Sequence, residues 1–309
     1  MIKNVAFGII IDDIVFPDGS TQMSILGGGG VQTVWGMAVA LGSGESVGLA
    51  AGIGDDLSDE LLNPLYAAGI NLDGLRRTPH PTPRAWQITE YDGRRTQVWR
   101  TQPKNLGEQL AMKWEYLPES YQQAQHFHRG IHPEDAPPSL ALQLKKMGKT
   151  VSLEAFKAPV QPLSPVHQQA IFESCSIFSA ATAELEAIIG YHHQQNDLFS
   201  IFARSGARYL VERKGKSGAV VYDCLEQQKF TAPAIETPAI DETGAGNAFC
   251  GAFLARIQNG VSEALCHGIT AASYMIEQVG IPHGLPDSVD YENRFNMIHG
   301  KIEIQKMQF

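Results

Sequence analysis

Asp241-Glu242-Thr243-Gly244-Ala245-Gly246-Asn247-Ala248-Phe249 lies late in the chain, where small residues run straight into an apolar helical stretch, Ala245–Gln258. Bare backbone N–H groups at a helix start, with the positive end of the helix dipole behind them, make an anion site. The residue that ends the turn sits beside that anion. An enzyme that deprotonates a hydroxyl needs a carboxylate there, and this chain has the amide of Asn247. A Rossmann dinucleotide loop is a poor fit, because Phe249 occupies the place of the third small residue and the motif lies far from the first strand. No G-x-x-x-x-G-K-[ST] run is present. Read alone, the turn either cradles a transferring phosphoryl group or permits close helix–sheet packing.

Upstream of the turn, strand and helix signals alternate. Strands are expected at Phe127–Ile131, Thr150–Leu153, Ser176–Ser179, Tyr209–Glu212 and Ala219–Tyr222. Helices are expected at Ser139–Met147, Pro165–Glu173, Ala183–Ile189, Leu198–Arg204 and, beyond the turn, Ser262–Val279. Such alternation implies βαβ units, a parallel sheet covered on both faces, and ligands at the C-terminal strand ends. Towards the N-terminus, Val5–Ile11 reads as one buried strand and Val47–Ala51 as another. Val31–Leu41 reads as a helix, and Asp56 as the cap of a helix running to Ala68. The β-rich arms around Tyr91-Asp92-Gly93 predict a hairpin. With Gln22–Leu26 it forms a small sheet apart from the main one, a lid over residues 13–26 and 84–101. The whole chain, 1–309, reads as one domain.

Composition narrows the partners. The chain has 309 residues, 43% hydrophobic and 18% charged, with a net charge of −9. That balance suits a globular protein and argues against nucleic acid or an anionic membrane, whose phosphates need basic surface. Cys175, Cys224, Cys250 and Cys266 form no C-x-x-C pair, as expected of free thiols in a reducing compartment. The first apolar run is too short to span a membrane, so a cytoplasmic protein is expected.

Other residues invite chemistry. Gly27–Gly30 before a helix brings backbone close to a ligand, with Gly28 and Gly29 beside it and Gln32 one residue into the helix. Asp12-Asp13 follows the first strand, where a carboxylate binds sugar diols well because it accepts several hydrogen bonds. Glu184 opens a helix, and Arg213–Gly218 is a basic turn after a strand. His126, His128 and His132 lack the companion ligands of a metal set, and His192-His193 reads as solvated.

Taken in order, these features resemble the ribokinase-like (PfkB) family of sugar and nucleoside kinases over nearly the whole chain. The strongest match sets Asp241–Phe249 against a family pattern close to D-T-x-G-A-G-D-x-F; Gly27–Gly30 to Gly54-Asp55-Asp56 resembles the N-terminal signature, and Ala271–Pro282 the adenine-side helix and loop. The resemblance implies a three-layer α/β domain with a mostly parallel sheet and a β-lid. It implies ATP along Arg213, Gly215, Gly218, Thr243 and the Ala271–Gly280 segment, and an anion hole at Gly244, Ala245 and Gly246. It gives Asp13, Gly28, Gly29 and Gln32 to substrate, Glu184 to water around Mg²⁺, and Asp241 with Thr243 to a monovalent cation such as K⁺. The lid residues Trp86, Arg94, Arg95 and Trp99 face substrate, surface or a partner lid, since members of the family pair as homodimers through lid edges.

Four departures mark a divergent member. The general-base Asp of the family is Asn247, the substrate-binding Asn is Gln32, the Asn of N-x-x-E is Ala181, and a mid-chain Asp is Glu154. The implied function is ATP-dependent phosphorylation of a sugar, polyol or nucleoside hydroxyl, slow or using another base such as Asp241, Glu242 or Asp13. The alternative is an inactive relative that binds nucleotide or a sugar-like ligand in a regulatory or scaffolding role.

Overall fold

A computed structural model describes residues 1–91, 95–190 and 202–307. The expected Asp92-Gly93 turn, Arg94, His192-His193 and most of the Leu198–Arg204 helix lie outside the described residues. The main sheet has ten strands in the order β14-β13-β12-β11-β10-β9-β8-β1-β4-β5. Its parallel centre comprises β1 (Asn4–Phe7), β4 (Val47–Ile53), β5 (Asn71–Arg77), β8 (His126–Ile131), β9 (Thr150–Ala155), β10 (Ile177–Ala181) and β11 (Tyr209–Arg213). One edge continues antiparallel through β12 (Ala219–Asp223), β13 (Gln228–Ala232) and β14 (Glu303–Lys306).

Alternation along each strand feeds two cores. Ala6 of β1 packs with the Gly29–Leu41, Ala245–Arg256 and Val261–Met275 helices. Its neighbours Val5 and Phe7 pack on the opposite face with Phe127, Phe172 and Phe178. Two buried faces make the three layers, and the largely apolar character of the central strands follows from them. Gly36 and Gly251 let the Gly29–Leu41 and Ala245–Arg256 helices touch backbone to backbone: a Cβ on Gly251 would sit 2.0 Å from the Thr33 carbonyl oxygen.

The lid is a second, four-stranded sheet in the order β3-β2-β6-β7. It comprises β2 (Ile10–Val15), β3 (Thr21–Gly27), β6 (Arg84–Thr89) and β7 (Arg95–Trp99). The Val5–Ile11 run is therefore not one strand. Gly8, at φ 100°, turns the chain out of the main sheet, and Ile10 already belongs to the lid. Both halves are buried, so hydrophobicity alone hides the break. Asp56 does not cap a helix: its Oδ1 accepts hydrogen bonds from the Thr82 N–H and hydroxyl, both at 2.8 Å, and the helix begins at Asp59. The helix expected at Ser262–Val279 runs Val261–Met275, stopping four residues early, and a further helix, Ser288–His299, follows it. Strands β5, β13 and β14 carry too many polar and glycine residues to announce themselves; β14 is wholly exposed.

Candidate functional site

Gly244 starts the late helix in a left-handed conformation, φ 87°, and a Cβ there would lie 2.3 Å from Gln32 Cδ. Gly246 is hemmed in from below, since its Cβ would fall 1.6 Å from Arg213 Nη1. Ala245 N–H bonds back to Glu242, and Ala248 N–H to Gly244. Among the described residues, the N–H groups of Gly246 and Asn247 have no acceptor, so two donors and the helix dipole converge on one point. Asn247 Nδ2 donates to Gln32 Oε1 at 2.6 Å, and this bond leaves Asn247 Oδ1 as the atom nearest Gly29.

Beside the turn lies a cavity of about 250 Å³. Gln32, Thr243 and Asn247 line it together with the lid residues Asp12, Gln87, Arg95, Gln97 and Trp99. The period of two along β7 puts residues 95, 97 and 99 on the cavity face. The same rule separates the two neighbouring aspartates. Asp12 faces the cavity and its Oδ1 accepts from Gln87 Nε2 at 2.8 Å. Asp13, expected to bind substrate, points to the opposite face of the lid. There it accepts from Ser24 N–H at 2.9 Å and pairs with Arg100 and Arg84. Trp86 is on that outer face too, with the Arg100 guanidinium over its ring.

Burial pushes the Asp12 carboxyl up to about 6, against the hydrogen bond from Gln87 and the field of Arg95. Its folded value lies above its unfolded one, so the stability linked to it is full below about pH 4 and lost as pH rises through about 6. Asp12→Asn is therefore expected to stabilise the protein near neutral pH by up to about 3 kcal/mol and to change little near pH 4. Urea denaturation at both pH values checks this; equal gains at the two would contradict it.

Arg213 does not reach outward to a nucleotide. Its side chain turns under the glycine turn, where Nη1 pairs with Glu154 Oε1 at 2.6 Å. Nη2 contacts Glu184 Oε2 at 3.3 Å and the Ala155 carbonyl at 3.2 Å. Burial opposes the Glu154 charge, yet Arg213 and His128 hold that carboxyl below its ordinary range. The Glu154 carboxylate in turn raises Arg213 against its own burial. Glu184 is raised by burial, only partly offset by Arg213. Its Oε2 also accepts from Ala181 N–H at 2.7 Å. Among the described residues Glu184 Oε1 has no partner. Asp241 Oδ1 accepts from Thr243 N–H at 2.9 Å, while its buried Oδ2 has no hydrogen-bond partner.

Gly215 and Gly218 shape the β11–β12 turn, away from the cavity; a Cβ on Gly218 would meet the Ala232 carbonyl oxygen. His126 and His128 are tied to Asn4 and Ser152, respectively. Reading by sequence named the Asp12-Asp13 pair but chose Asp13 over the cavity-facing Asp12, and it did not single out the cavity residues Gln87 and Arg129. The alternation of β2 was the available signal for Asp12; none existed for Arg129.

The profile of the pfkB family carbohydrate kinases matches residues 1–287. The chain is 25% identical to the cytidine kinase of Thermococcus kodakarensis over 283 residues, which is 88% of this chain and 95% of that one. A putative ribokinase II from E. coli, solved with ATP and Mg²⁺, aligns with TM-score 0.73 at 18% identity, covering 96% of this chain and 100% of that one. The nucleoside kinase of Methanocaldococcus jannaschii aligns with TM-score 0.69 at 22% identity, over 96% and 99% of the two chains. The large, mostly parallel sheet with its separate small sheet is thus a ribokinase-like fold. With the profile running from residue 1 to residue 287, past the glycine turn, the chain belongs to the pfkB family of carbohydrate kinases.

Proposed function

We propose that the protein is an ATP-dependent kinase acting slowly on a hydroxyl of a sugar, polyol or nucleoside. The observation that carries this reading is one cavity lined by Asp12, Gln32, Thr243 and Asn247, beside a glycine turn with two free N–H donors. Asp12 accepts hydrogen bonds from neighbouring acceptor hydroxyls. Asn247 Oδ1 orients the reacting hydroxyl but has no useful affinity for its proton at neutral pH. The hydroxyl oxygen forms the new P–O bond, the bond to the bridging oxygen breaks with its electron pair leaving on ADP, and the proton passes to solvent. Because phosphoryl transfer relies on positioning and charge stabilisation, the Gly246 and Asn247 N–H groups keep much of the catalysis.

Gly215, Gly218 and the Ala271–Gly280 segment are proposed to border the nucleotide. Glu184 fits a role beside Mg²⁺, its unpartnered Oε1 holding a water of the ion, which supplies charge neutralisation on the phosphates. Asp241 Oδ2, buried and unpartnered, fits a monovalent cation such as K⁺. The amide at 247 favours a second reading, an inactive relative that binds nucleotide or a sugar-like ligand. Single-turnover transfer from γ-labelled ATP to sugars, polyols and nucleosides, beside ATP calorimetry, separates the two. Transfer supports the kinase, ATP binding without transfer supports the inactive relative, and no ATP binding sinks both.

A further inference from the structure

The cavity continues past Asp12 and Asn247 along the C-terminal strand ends, from β8 across β1 and β4 to β5. Its lining changes character there. Arg76, Lys113 and Arg129 enter, with Asp135 as the one carboxylate in this part of the lining. Arg76 is already paired with Glu108 at 3.8 Å, and Lys113 lies over the Tyr116 ring. Among the described residues Arg129 makes no hydrogen bond and no ion pair. Burial lowers its pKa and Asp135 only partly offsets that, so the guanidinium is held out of water without a full counter-charge. A chain with net charge −9 has carboxylates to spare, yet none closes on Arg129. A half-buried, unpaired guanidinium is costly until a ligand supplies the anion.

The γ-phosphate of ATP is not that anion. His128 faces Glu154, 3.5 Å away, on the side of β8 that holds the Arg213 cluster and the glycine turn. Arg129 is the next residue along β8 and so points to the other side of the sheet. The β11–β12 turn assigned to nucleotide is three strands distant, roughly 14 Å at ordinary strand spacing.

We propose that the acceptor itself carries an anionic group, a carboxylate or a phosphate, and that Arg129 holds it while Asp12 and Asn247 hold the hydroxyls. The acceptor is thus a hydroxylated acid rather than the neutral nucleosides named for two relatives of this chain. This inference rests on the kinase reading and narrows its substrate class. Arg129 offers a planar fork that matches two anionic oxygens, whereas a neutral polyol leaves it unsatisfied.

The test compares glucitol, gluconate and glucitol 6-phosphate, close analogues that differ mainly in their charged group. Binding to the full chain is read by calorimetry, with ATP titrated separately. One or both anionic compounds are expected to bind roughly 10–100-fold more tightly than glucitol, and the preferred one identifies the group as carboxylate or phosphate. Arg129→Gln is expected to erase that ratio, Arg129→Lys to keep part of it, and both to leave the ATP affinity unchanged. Equal binding of all three, or preference for glucitol, overturns the inference while ATP binding leaves the kinase reading standing. A loss of ATP affinity in Arg129→Gln also overturns it, by assigning the guanidinium to nucleotide. Failure of ATP to bind the wild-type chain is instead the failure of the kinase reading.

Discussion

Asn247→Asp is expected to transfer phosphate faster than the wild-type chain by roughly 10²–10⁴-fold, the usual contribution of a positioned general base. The site is built to receive the carboxylate. Asn247 stands at the first turn of the Ala245–Arg256 helix, where unpaired N–H groups and the helix dipole favour a negative charge. Its partner Gln32 adapts by rotating its amide, so that Nε2 donates to the new carboxylate in place of Oε1 accepting from Asn247. The ratio of variant to wild-type rate is expected to grow with pH as that carboxylate ionises and then to level off, since the ionisation of Asp12 near pH 6 is common to both. Single-turnover rates across pH measure both features. A variant no faster than wild type would show that proton removal does not limit the reaction.

The second large effect concerns stability. Arg213→Met is expected to cost about 3–5 kcal/mol, because it strands the buried Glu154 carboxylate without its counter-ion. For a chain of this size that corresponds to a fall in melting temperature on the order of 5–10 °C. Glu154 has its carboxyl held low in the folded state, so its contribution is present above the unfolded pKa and lost as pH falls through the folded one. The deficit of the variant should therefore shrink in acid. Pairing Arg213→Met with Glu154→Gln should recover much of the loss, and thermal melts of the single and double variants at two pH values check it. A single variant as stable as wild type would mean that the cluster is not a stabilising unit.

Residues whose role depends on local pattern were legible from sequence alone. The glycine turn, the Gly29–Leu41 helix and most parallel strands announce themselves through spacing and periodicity. Asp12 and Asp13 show where this stops. They are chemically identical neighbours, and which one meets the cavity depends on where β2 begins. That start is set by the turn at Gly8 inside an unbroken apolar run. Arg213 carries the same lesson from the other direction. A basic residue at a turn reads as surface, and only the buried Glu154 on a strand 59 residues earlier, by chain numbering, draws it inward. Arg129 gives no signal at all in sequence, because only the fold shows that no carboxylate among the described residues closes on it.

Gly8 and Gly28 mark the two neighbouring places where the chain passes between main sheet and lid, and both have φ of 90° or more in the positive region. They lie close in space as well: a Cβ on Gly28 would sit 2.7 Å from the backbone nitrogen of Ile10, two residues after Gly8. A sheet joined through such a seam would swing as a lever with its fulcrum at the glycines. Asp12 lies at the fulcrum, against Gly27, and a swing of the lid would scarcely displace it. Arg95 opens β7 away from these glycines and would travel further than Asp12. A guest's hydroxyls would then meet Asp12 wherever the lid stands, whereas contact with Arg95 would depend on how far the lid has swung.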